Sequence, residues 1–224
     1  MNINITLDIL KKESNDIILF HSVLGKDSIV LMDLLYKKGF NVIPIFQYHV
    51  KGLDIVENRI NYFENKYKVR FIQLPHYCLS SHIRIGYMGI AKDEKQKIIK
   101  LSDIIKSAQN ITNIDWVVLG FKKNDGIDRR IMLNEFEKDF YINFKNKKAF
   151  PLADWKNKDC YAYIEQNNLI KPFVYNQKKP SSDIELRDIH FLSYMKNNHK
   201  EDLDKIINQF PEVEHLLYAY GIKN

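Results

Sequence analysis

Two kinds of hydrophobic pattern alternate along this chain of 224 residues. Short apolar runs rich in β-branched residues predict buried strands, and apolar residues that recur every three or four positions predict amphipathic helices. The predicted strands are Ile17–Phe20, Asn41–Phe46, Val69–Leu74 and Trp116–Gly120. The predicted helices between and before them are Ile5–Ser14, Ser28–Lys38, Leu53–Tyr67 and Lys95–Ala108. This alternation predicts an α/β fold with a doubly wound, mostly parallel sheet.

Single residues refine these boundaries. Gly39 predicts the C-terminal cap of the helix that begins at Ser28. Pro44 predicts that the second strand lies at a sheet edge or contains a bulge, since proline cannot donate to a ladder. Residues Pro75–Ala91 are too many for an ordinary turn, and we expect a functional loop there.

The last quarter of the chain predicts a different architecture. A polar loop is expected at Tyr175–Ser182, after Lys171 and Pro172. Three helical segments are predicted beyond it: Asp183–Asn197, Lys200–Gln209 and Val213–Tyr220. We therefore divide the chain into a core domain, residues 1–172, and a small C-terminal helical extension, residues 173–224, packed on it.

The turn after the first strand carries the most informative chemistry. Its polar and flexible residues are Ser22, Gly25, Lys26, Asp27 and Ser28. A strand that turns into a helix leaves backbone N–H groups unpaired at the helix start, where the dipole also favours an anion. The glycine lets the backbone approach a ligand, the lysine and the two hydroxyls suit phosphate oxygens, and the aspartate suits a hard cation. This composition indicates a nucleotide polyphosphate site.

A second polar stretch follows the strand Trp116–Gly120. It contains Gly120, Lys122, Lys123, Arg129 and Arg130. Ligands of open α/β sheets bind beyond the carboxyl ends of strands, and two adjacent arginines on a loop can clamp a phosphate or sulfate. The alternative is a solvated basic turn without a ligand.

Three segments resemble one family in order and spacing, over about residues 17–170. Gly25-Lys26-Asp27-Ser28 resembles the Ser-Gly-Gly-x-Asp-Ser loop of the ATP pyrophosphatases, the family that includes the phosphoadenylyl-sulfate (PAPS) reductases, with Val23-Leu24 in place of Ser-Gly. Gly120–Arg130 is similar to the family's Gly-x-Arg-x-x-(Asp/Glu)-Ser-x-x-Arg stretch. Phe150–Ile164 resembles its Pro-Leu/Ile-x-x-Trp-x-x-x-Asp-Val-Trp-x-Tyr-Ile segment, where a strand leads into a capped helix.

The resemblance implies an adenine nucleotide alpha hydrolase-like fold that binds ATP with Mg²⁺, cleaves the bond between the α- and β-phosphates and adenylylates an acceptor. It implies that Lys26 and the backbone of the turn hold pyrophosphate, that Asp27 is the metal ligand, and that the adenine lies near the end of the second strand. The implied catalytic residues are Lys26, Asp27, Arg129 and Arg130. The implied nucleotide-binding residues are Ser22, Leu24, Gly25, Lys26, Ser28, Phe46, Tyr48, Gly120 and Lys122.

Cys78 and Cys160 are the two cysteines of the chain, too few for a disulfide framework, which favours a reducing cytoplasm. PAPS reductases use a cysteine near the C-terminus, and no cysteine follows Cys160, so a sulfonucleotide reductase would need an external thiol. His76-x-Cys78-x-x-x-His82 could supply metal ligands, or could shape a pocket or simply pack.

The net charge of +6 suits an anionic ligand and permits nucleic acid. It leaves open an acceptor that is a nucleic acid or a small metabolite, and also a non-catalytic nucleotide sensor or nucleic-acid-binding partner. No apolar run is long enough for a membrane span, so no membrane partner is expected. The sequence does not predict an oligomeric state.

Overall fold

A six-stranded sheet forms the centre of the protein in a computed structural model that describes residues 3–176, 179–180 and 184–221. Its strands are β1 (Asp16–Phe20), β2 (Asn41–Tyr48), β3 (Ile72–Pro75), β4 (Val117–Val118), β5 (Ile142–Asn143) and β6 (Lys148–Ala149). They lie in the order β3-β2-β1-β4-β6-β5, and all neighbours are parallel except β5 and β6. A separate antiparallel pair is formed by β7 (Val174–Asn176) and β8 (Lys179–Pro180).

Helices cover both faces of this sheet. Those before β4 are α1 (Ile3–Glu13), α2 (Lys26–Lys37), α3 (Asp54–Tyr67), α4 (Cys78–Ile85) and α5 (Leu101–Thr112). Those after it are α6 (Ile127–Asn134), α7 (Asn157–Gln166), α8 (Ile189–Asn198), α9 (Lys200–Gln209) and α10 (Glu212–Ala219). Along β1, Ile17 and Leu19 belong to one apolar cluster and Ile18 to another, because successive side chains point to opposite faces. The predicted doubly wound, mostly parallel α/β fold is confirmed.

Strand β1 lies where the strand order reverses. From β1 the chain moves outward to β2 and β3, and then returns to place β4 on the other side of β1. In open α/β sheets this arrangement opens a crevice at the carboxyl ends of the two central strands. The turn at Ser22–Gly25 follows β1 directly and therefore faces that crevice.

The connection Pro75–Ala91, predicted as a loop, contains helix α4. Helix α4 has eight residues, of which Leu79 and Ser80 are buried. Gly86 ends α4 with φ of 70°, a left-handed conformation that glycine adopts without strain. The prediction of an irregular loop was wrong for Cys78–Ile85.

Helix α5 begins at Leu101 and ends at Thr112, later at both ends than the predicted Lys95–Ala108. A carboxylate oxygen of Asp103 accepts a hydrogen bond from the Lys100 N–H at 2.8 Å. This cap fixes the start of the helix.

Pro44 does not mark an edge strand, since β2 lies between β1 and β3. It pairs with Leu19 of β1, whereas the ladder with β3 begins one residue later, at Ile45. The proline therefore sits on a part of β2 that has a single neighbouring strand. This arrangement avoids the missing donor that an interior position would create.

A buried carboxylate joins α2 to α3 and α7. Asp33 of α2 is 4% exposed and accepts hydrogen bonds from the hydroxyls of Tyr67 at 3.2 Å and Tyr163 at 2.7 Å. The Lys37 ammonium lies 2.7 Å from the same carboxylate. The centre of the Trp155 ring lies 5.9 Å from that of Tyr163, so these two aromatic residues pack against each other.

The C-terminal helices pack on the core through α9. Asp202, 1% exposed, accepts hydrogen bonds from the backbone N–H groups of Asp54 at 2.6 Å and Ile55 at 2.9 Å, and thereby caps the start of α3. The Lys205 ammonium donates to the Gly52 carbonyl at 2.8 Å. Residues of the extension share one apolar cluster with the core, and the boundary at residue 172 stays a prediction.

Of the predicted polar loop Tyr175–Ser182, residues 177–178 and 181–182 lie outside the described residues, as does residue 183, where the next helix was predicted to begin. The predicted helix Asp183–Asn197 begins at Ile189 instead, because the Asp188 side chain caps the backbone N–H groups of His190 and Phe191. Across the described ranges, every helix is too short or too polar to cross a bilayer.

Candidate functional site

A cavity of about 270 Å³ opens at the carboxyl ends of β1, β2 and β4. It is lined by Phe20, His21, Ser22, Asp27, Ser28, Ile45, Phe46, Gln47, His76, Leu119, Gly120 and Phe121. This is the crevice beside β1 at which the strand order reverses. The cavity therefore occupies the place where ligands of such folds bind.

The two serines of the turn hold it closed. The Ser22 N–H donates to the Ser28 Oγ at 3.0 Å, and the two hydroxyl oxygens lie 3.2 Å apart. The Gly25 N–H donates to the Ser22 carbonyl at 2.9 Å. Gly25 has φ of −91° and ψ of 142°, an extended conformation that any residue adopts, and α2 begins immediately after it at Lys26. The first N–H groups of α2 thus face the crevice.

Val23 and Leu24, which replace the Ser-Gly of the family's loop, are buried in the apolar core. The Leu24 carbonyl accepts a hydrogen bond from the Phe173 N–H at 2.9 Å. The turn is therefore anchored by apolar side chains and by the segment that precedes β7.

Asp27 lies at the centre of an ion-pair cluster. One of its oxygens, Oδ2, lies 2.5 Å from the Lys122 ammonium and 3.3 Å from the Lys26 ammonium. The Lys122 ammonium also lies 3.1 Å from an Asp125 oxygen, and the side chain of Lys122 is 0% exposed. Burial lowers the pKa of Lys122, but the charges and hydrogen bonds of Asp27 and Asp125 outweigh it and hold that pKa above its ordinary value. Lys122 is thus a buried counter-ion and does not project into the crevice to contact phosphate.

The Cys160 thiol completes the cluster by donating to the other oxygen of Asp27 at 3.2 Å. Burial, together with the Asp27 charge, raises the pKa of Cys160 to about 12. A thiol with so high a pKa stays protonated at neutral pH and is a poor nucleophile.

The donor set around Asp27 does not fit a resident magnesium ion. The Lys122 ammonium already lies between the two carboxylates of Asp27 and Asp125, where a bridging cation would bind. Within the described ranges, no three His, Cys, Asp or Glu side chains are arranged to hold a metal ion. The metal-ligand role of Asp27 stays a prediction of the resemblance, and these contacts favour an ion-pairing role.

Arg129 and Arg130 lie in the first turn of α6, not on a loop as the sequence suggested. The Arg129 guanidinium stacks 3.4 Å from the centre of the Phe121 ring, and Phe121 lines the cavity. Arg130 is exposed. The neighbouring Lys123 lies instead 3.3 Å from Asp154, so the structure brings Arg129 closest to the cavity wall.

Of the three residues Gly120, Phe46 and Tyr48, for which the resemblance implies nucleotide binding, Gly120 and Phe46 line the cavity and Tyr48 does not. Their contact with a nucleotide stays a prediction. A Cβ on Gly120 would lie 3.4 Å from the Leu31 Cδ1 and 3.6 Å from the Asp27 Cβ. These are ordinary van der Waals distances, so the packing of α2 at this position does not by itself require glycine.

Sequence reasoning missed the part played by His21. Its side chain is 2% exposed, and neither ring nitrogen has a hydrogen-bond partner among the described residues. The ring makes edge contacts with Phe63 and Phe71, at centroid distances of 4.6 and 5.3 Å. Burial lowers the pKa of His21 to about 3. The sequence signal was its position, one residue after a buried strand and directly before the turn.

The segment His76–His82 contributes to the cavity wall. His76 lines the cavity, its Nδ1 accepts from the Cys78 N–H at 3.2 Å, and its ring stacks on His49 at 4.1 Å. His49 in turn stacks on His82 at 5.9 Å. This arrangement supports the pocket-shaping interpretation of the segment.

The profile of the phosphoadenosine phosphosulfate reductase domain matches residues 17–194. The chain belongs to this family. The order of the three sequence segments and the α/β fold agree with this assignment. Within the family, this member has Val23 and Leu24 in the nucleotide loop and a protonated cysteine beside it.

One curated relative is an uncharacterized protein of Plasmodium falciparum (isolate 3D7), 24% identical over 181 residues. The match covers 69% of this chain but 7% of that protein, so this chain corresponds to a small part of its relative.

Among the solved structures to which this chain is similar is the U34-tRNA thiolase NcsA from Methanococcus maripaludis with its 4Fe-4S cluster. The TM-score is 0.45, with 17% identity over 95% of this chain and 79% of that chain. An NH3-dependent NAD synthetase from Campylobacter jejuni has a TM-score of 0.46 and 12% identity over 95% and 93%. A predicted subunit of tRNA methyltransferase from Methanocaldococcus jannaschii has a TM-score of 0.43 and 18% identity over 85% and 90%.

Proposed function

We propose that this chain binds ATP in the cavity beside β1 and cleaves the bond between its α- and β-phosphates, which transfers the adenylyl group to an acceptor. The observation that carries the proposal is the position of the cavity, at the strand-order reversal and in front of the α2 N-terminus. The family match supports the same class of ligand.

The residues of the turn have separate tasks in this reaction. The first N–H groups of α2 and the Lys26 ammonium bind the departing pyrophosphate, where negative charge develops. Asp27 holds Lys26 and the buried Lys122 in place, at 3.3 and 2.5 Å. Arg129, stacked on Phe121, binds the far phosphates or an anionic acceptor.

The bonds balance without a protein nucleophile. A carbonyl oxygen of the acceptor, which carries no proton, attacks the α-phosphorus. The new P–O bond forms as the bond to the bridging oxygen breaks, and the electron pair of the broken bond leaves with pyrophosphate. Magnesium accompanies the nucleotide as part of the MgATP substrate. The acceptor is a nucleic acid or a small metabolite, and the net charge of +6 suits an anionic one.

Direct reduction of PAPS by a cysteine of this site is disfavoured. Cys160 is buried, protonated and hydrogen-bonded to Asp27, so it offers no thiolate to attack sulfur. Sulfonucleotide reduction here would require an external thiol. A non-catalytic nucleotide sensor would need to bind ATP in the cavity but would not cleave it.

The test compares ATP–Mg²⁺, PAPS and AMP as stabilising ligands in thermal unfolding, followed by pyrophosphate release from ATP with and without added nucleic acid. A ligand at one hundred times its dissociation constant stabilises by about 2.7 kcal/mol. We expect stabilisation by ATP–Mg²⁺ and release of pyrophosphate once an acceptor is present. Arg129→Ala should weaken the stabilisation by ATP, and the exposed neighbour in Arg130→Ala should change it less.

Each alternative has its own result. Stabilisation by PAPS but not by ATP would favour sulfur chemistry with an external thiol. Binding of ATP with no pyrophosphate release under any acceptor would favour a sensor. The absence of stabilisation by every nucleotide would refute the nucleotide site itself.

A further inference from the structure

The connection between α4 and α5 carries an excess of exposed positive charge. Residues 84–106 contain three acidic residues, Asp93, Glu94 and Asp103, and twice as many basic ones. The basic residues, all of them exposed, are Arg84, Lys92, Lys95, Lys97, Lys100 and Lys106. Similar charge is common on solvated surfaces, so the contacts and the position of these groups decide what they can bind.

Most of this positive charge is not neutralised by the acidic residues of the segment. Two of the three acids accept backbone N–H groups, at 2.9 and 2.8 Å, and so serve the local backbone. The third, Glu94, pairs with Lys92 at 2.7 Å. Within the described ranges, Lys95, Lys97 and Lys100 form no ion pair. Their ammonium groups are therefore available to an anion from outside.

Two hydrogen bonds fix the connection against α4. The Asp93 N–H donates to the Ile83 carbonyl at 3.0 Å, and the Ile99 N–H donates to the Ser80 Oγ at 2.9 Å. Ser80 is buried, so the second bond anchors the backbone on the inner side of α4. The backbone that carries the three lysines is therefore held on the protein, which lowers the entropy cost of binding a partner there.

The connection lies at the edge of the sheet where the cavity opens. Helix α5 leads by a short connection into the start of β4, so its C-terminus lies at the amino ends of the strands and its N-terminus at their carboxyl ends. Ile105 of α5 shares an apolar cluster with Leu119, which lines the cavity. His76, another lining residue, precedes α4 by two positions. The connection therefore leaves and re-enters the fold beside the cavity.

The arrangement of the three lysines favours a polyanion over a single phosphate. They are distributed along residues 95–100, in a segment without helix or strand. Ile98 lies between them and is 39% exposed, so it offers an apolar contact beside the charges. A nucleic-acid strand presents repeated phosphates together with the apolar faces of its bases, and proteins bind it with cationic groups that follow the backbone.

We propose that Lys95, Lys97 and Lys100 bind the phosphates of a single-stranded nucleic acid, and that this strand is the acceptor of the adenylyl group. The acceptor role rests on the proposed function, whereas binding of the strand does not require ATP. A single strand fits better than a duplex, because a base within a duplex is stacked and paired and has to leave the helix before it can enter a cavity.

The test measures the binding of labelled oligonucleotides of about 20 nucleotides to the full chain by fluorescence anisotropy, between about 50 and 200 mM salt. RNA and DNA single strands of one sequence are compared with the DNA duplex. One variant combines Lys95→Gln, Lys97→Gln and Lys100→Gln. A matched control removes the same charge at the amino ends of the strands, by combining Lys12→Gln, Lys145→Gln and Lys148→Gln.

We expect the unmodified protein to bind single strands more tightly than the duplex. The variant of the connection should bind single strands at least about tenfold more weakly, and its salt dependence, the slope of log K against log[salt], should fall by about two. The matched control should keep most of the affinity. ATP binding should be the same in all three proteins, while pyrophosphate release that depends on the oligonucleotide should be lost in the variant of the connection.

Several results would refute the nucleic-acid surface: no binding of any oligonucleotide, tighter binding of the duplex, or equal losses of affinity in the two variants. Poly-glutamate or anionic phospholipid vesicles that bind as tightly as a single strand, and lose that affinity in the variant of the connection, would assign the surface to an acidic protein or a membrane instead. If single strands bind through the three lysines and ATP does not bind, the proposed function fails and the surface stands. Melting temperatures confirm that each variant is folded.

Discussion

Helix α2 carries a buried polar cluster at each end, and the two clusters differ in how completely their partners are matched. At the C-terminal end, Asp33 receives donors from Tyr67, Tyr163 and Lys37. At the N-terminal end, Asp27 is also paired, but the ring of His21 beside it has no partner for either nitrogen within the described ranges.

The two clusters differ in whether their buried polar atoms are paired within the described protein. Since an unpaired buried polar atom is costly, a purely structural cluster is expected to be saturated, as the one at Asp33 is. The cluster near His21 borders a cavity and an open helix N-terminus.

The largest expected effect is a loss of stability when Asp33, whose partners are all in place, is replaced. Asp33→Ala leaves two tyrosine hydroxyls and an ammonium without their acceptor, so we expect the free energy of unfolding to fall by about 3 kcal/mol. Urea denaturation measures it. Asp8→Ala, which removes the exposed ion pair with Lys38, should cost less than about 1 kcal/mol. A similarly small loss in Asp33→Ala would contradict the structural role.

A smaller effect is expected from His21, which should make the free energy of unfolding depend on pH. The pKa of His21 is about 3 in the folded protein and about 6.5 in an unfolded chain, so the unfolded chain takes up the proton first as the pH falls. The stability associated with the neutral ring is present above pH 6.5 and is lost as the pH falls toward 3.

We therefore expect the unmodified protein to lose about 2 kcal/mol more than His21→Phe between pH 7 and pH 5. Urea denaturation at the two pH values gives this difference directly, because the other titrating groups are common to both proteins. If the unmodified protein and His21→Phe lose the same free energy of unfolding between the two pH values, His21 is not buried in the neutral form.

The smallest effect expected concerns the charge of Asp27. Asp27→Asn removes a negative charge from Lys26 and Lys122, so metal-free pyrophosphate should bind about three- to tenfold more tightly. Asp125→Asn should give a smaller gain, because Asp125 pairs with Lys122 alone of these two lysines.

Calorimetry with and without Mg²⁺ decides between the two roles of Asp27. If its role is ion pairing, the effect of Mg²⁺ on pyrophosphate binding should be the same in Asp27→Asn as in the unmodified protein. Loss of that effect would establish the metal-ligand role that the family resemblance implies.

Much of the fold was predictable because it depends on local patterns. The strand Ile17–Phe20, the helix after it and the helix Leu53–Tyr67 all have clear periodicity, and the structure places them within about two residues of the prediction. Helix α4 was missed because its eight residues span too few turns for a helical period to be recognised in a window of about 11–18 residues.

The site was predictable only in part, since its contacts join distant parts of the chain. The turn at Ser22–Ser28 can be recognised from its composition. The pairing of Lys122 with Asp27 spans 95 positions, and the bond from Cys160 spans 133. These contacts follow from β4 lying beside β1 and α7 beside α2, and no local pattern specifies either arrangement.

The cap that Asp202 places on α3 has a consequence for where this protein can be divided. The family profile ends at residue 194. The Asp202 carboxylate, which caps the start of α3, lies beyond that end and 148 positions after Asp54, whose backbone N–H it accepts. A fragment trimmed to the family boundary would retain the whole cavity lining and lose the group that anchors one of its supporting helices. The segment that matches the family profile is therefore shorter than the segment needed to cap α3. A shortened version of this protein that keeps the cavity should also include α9.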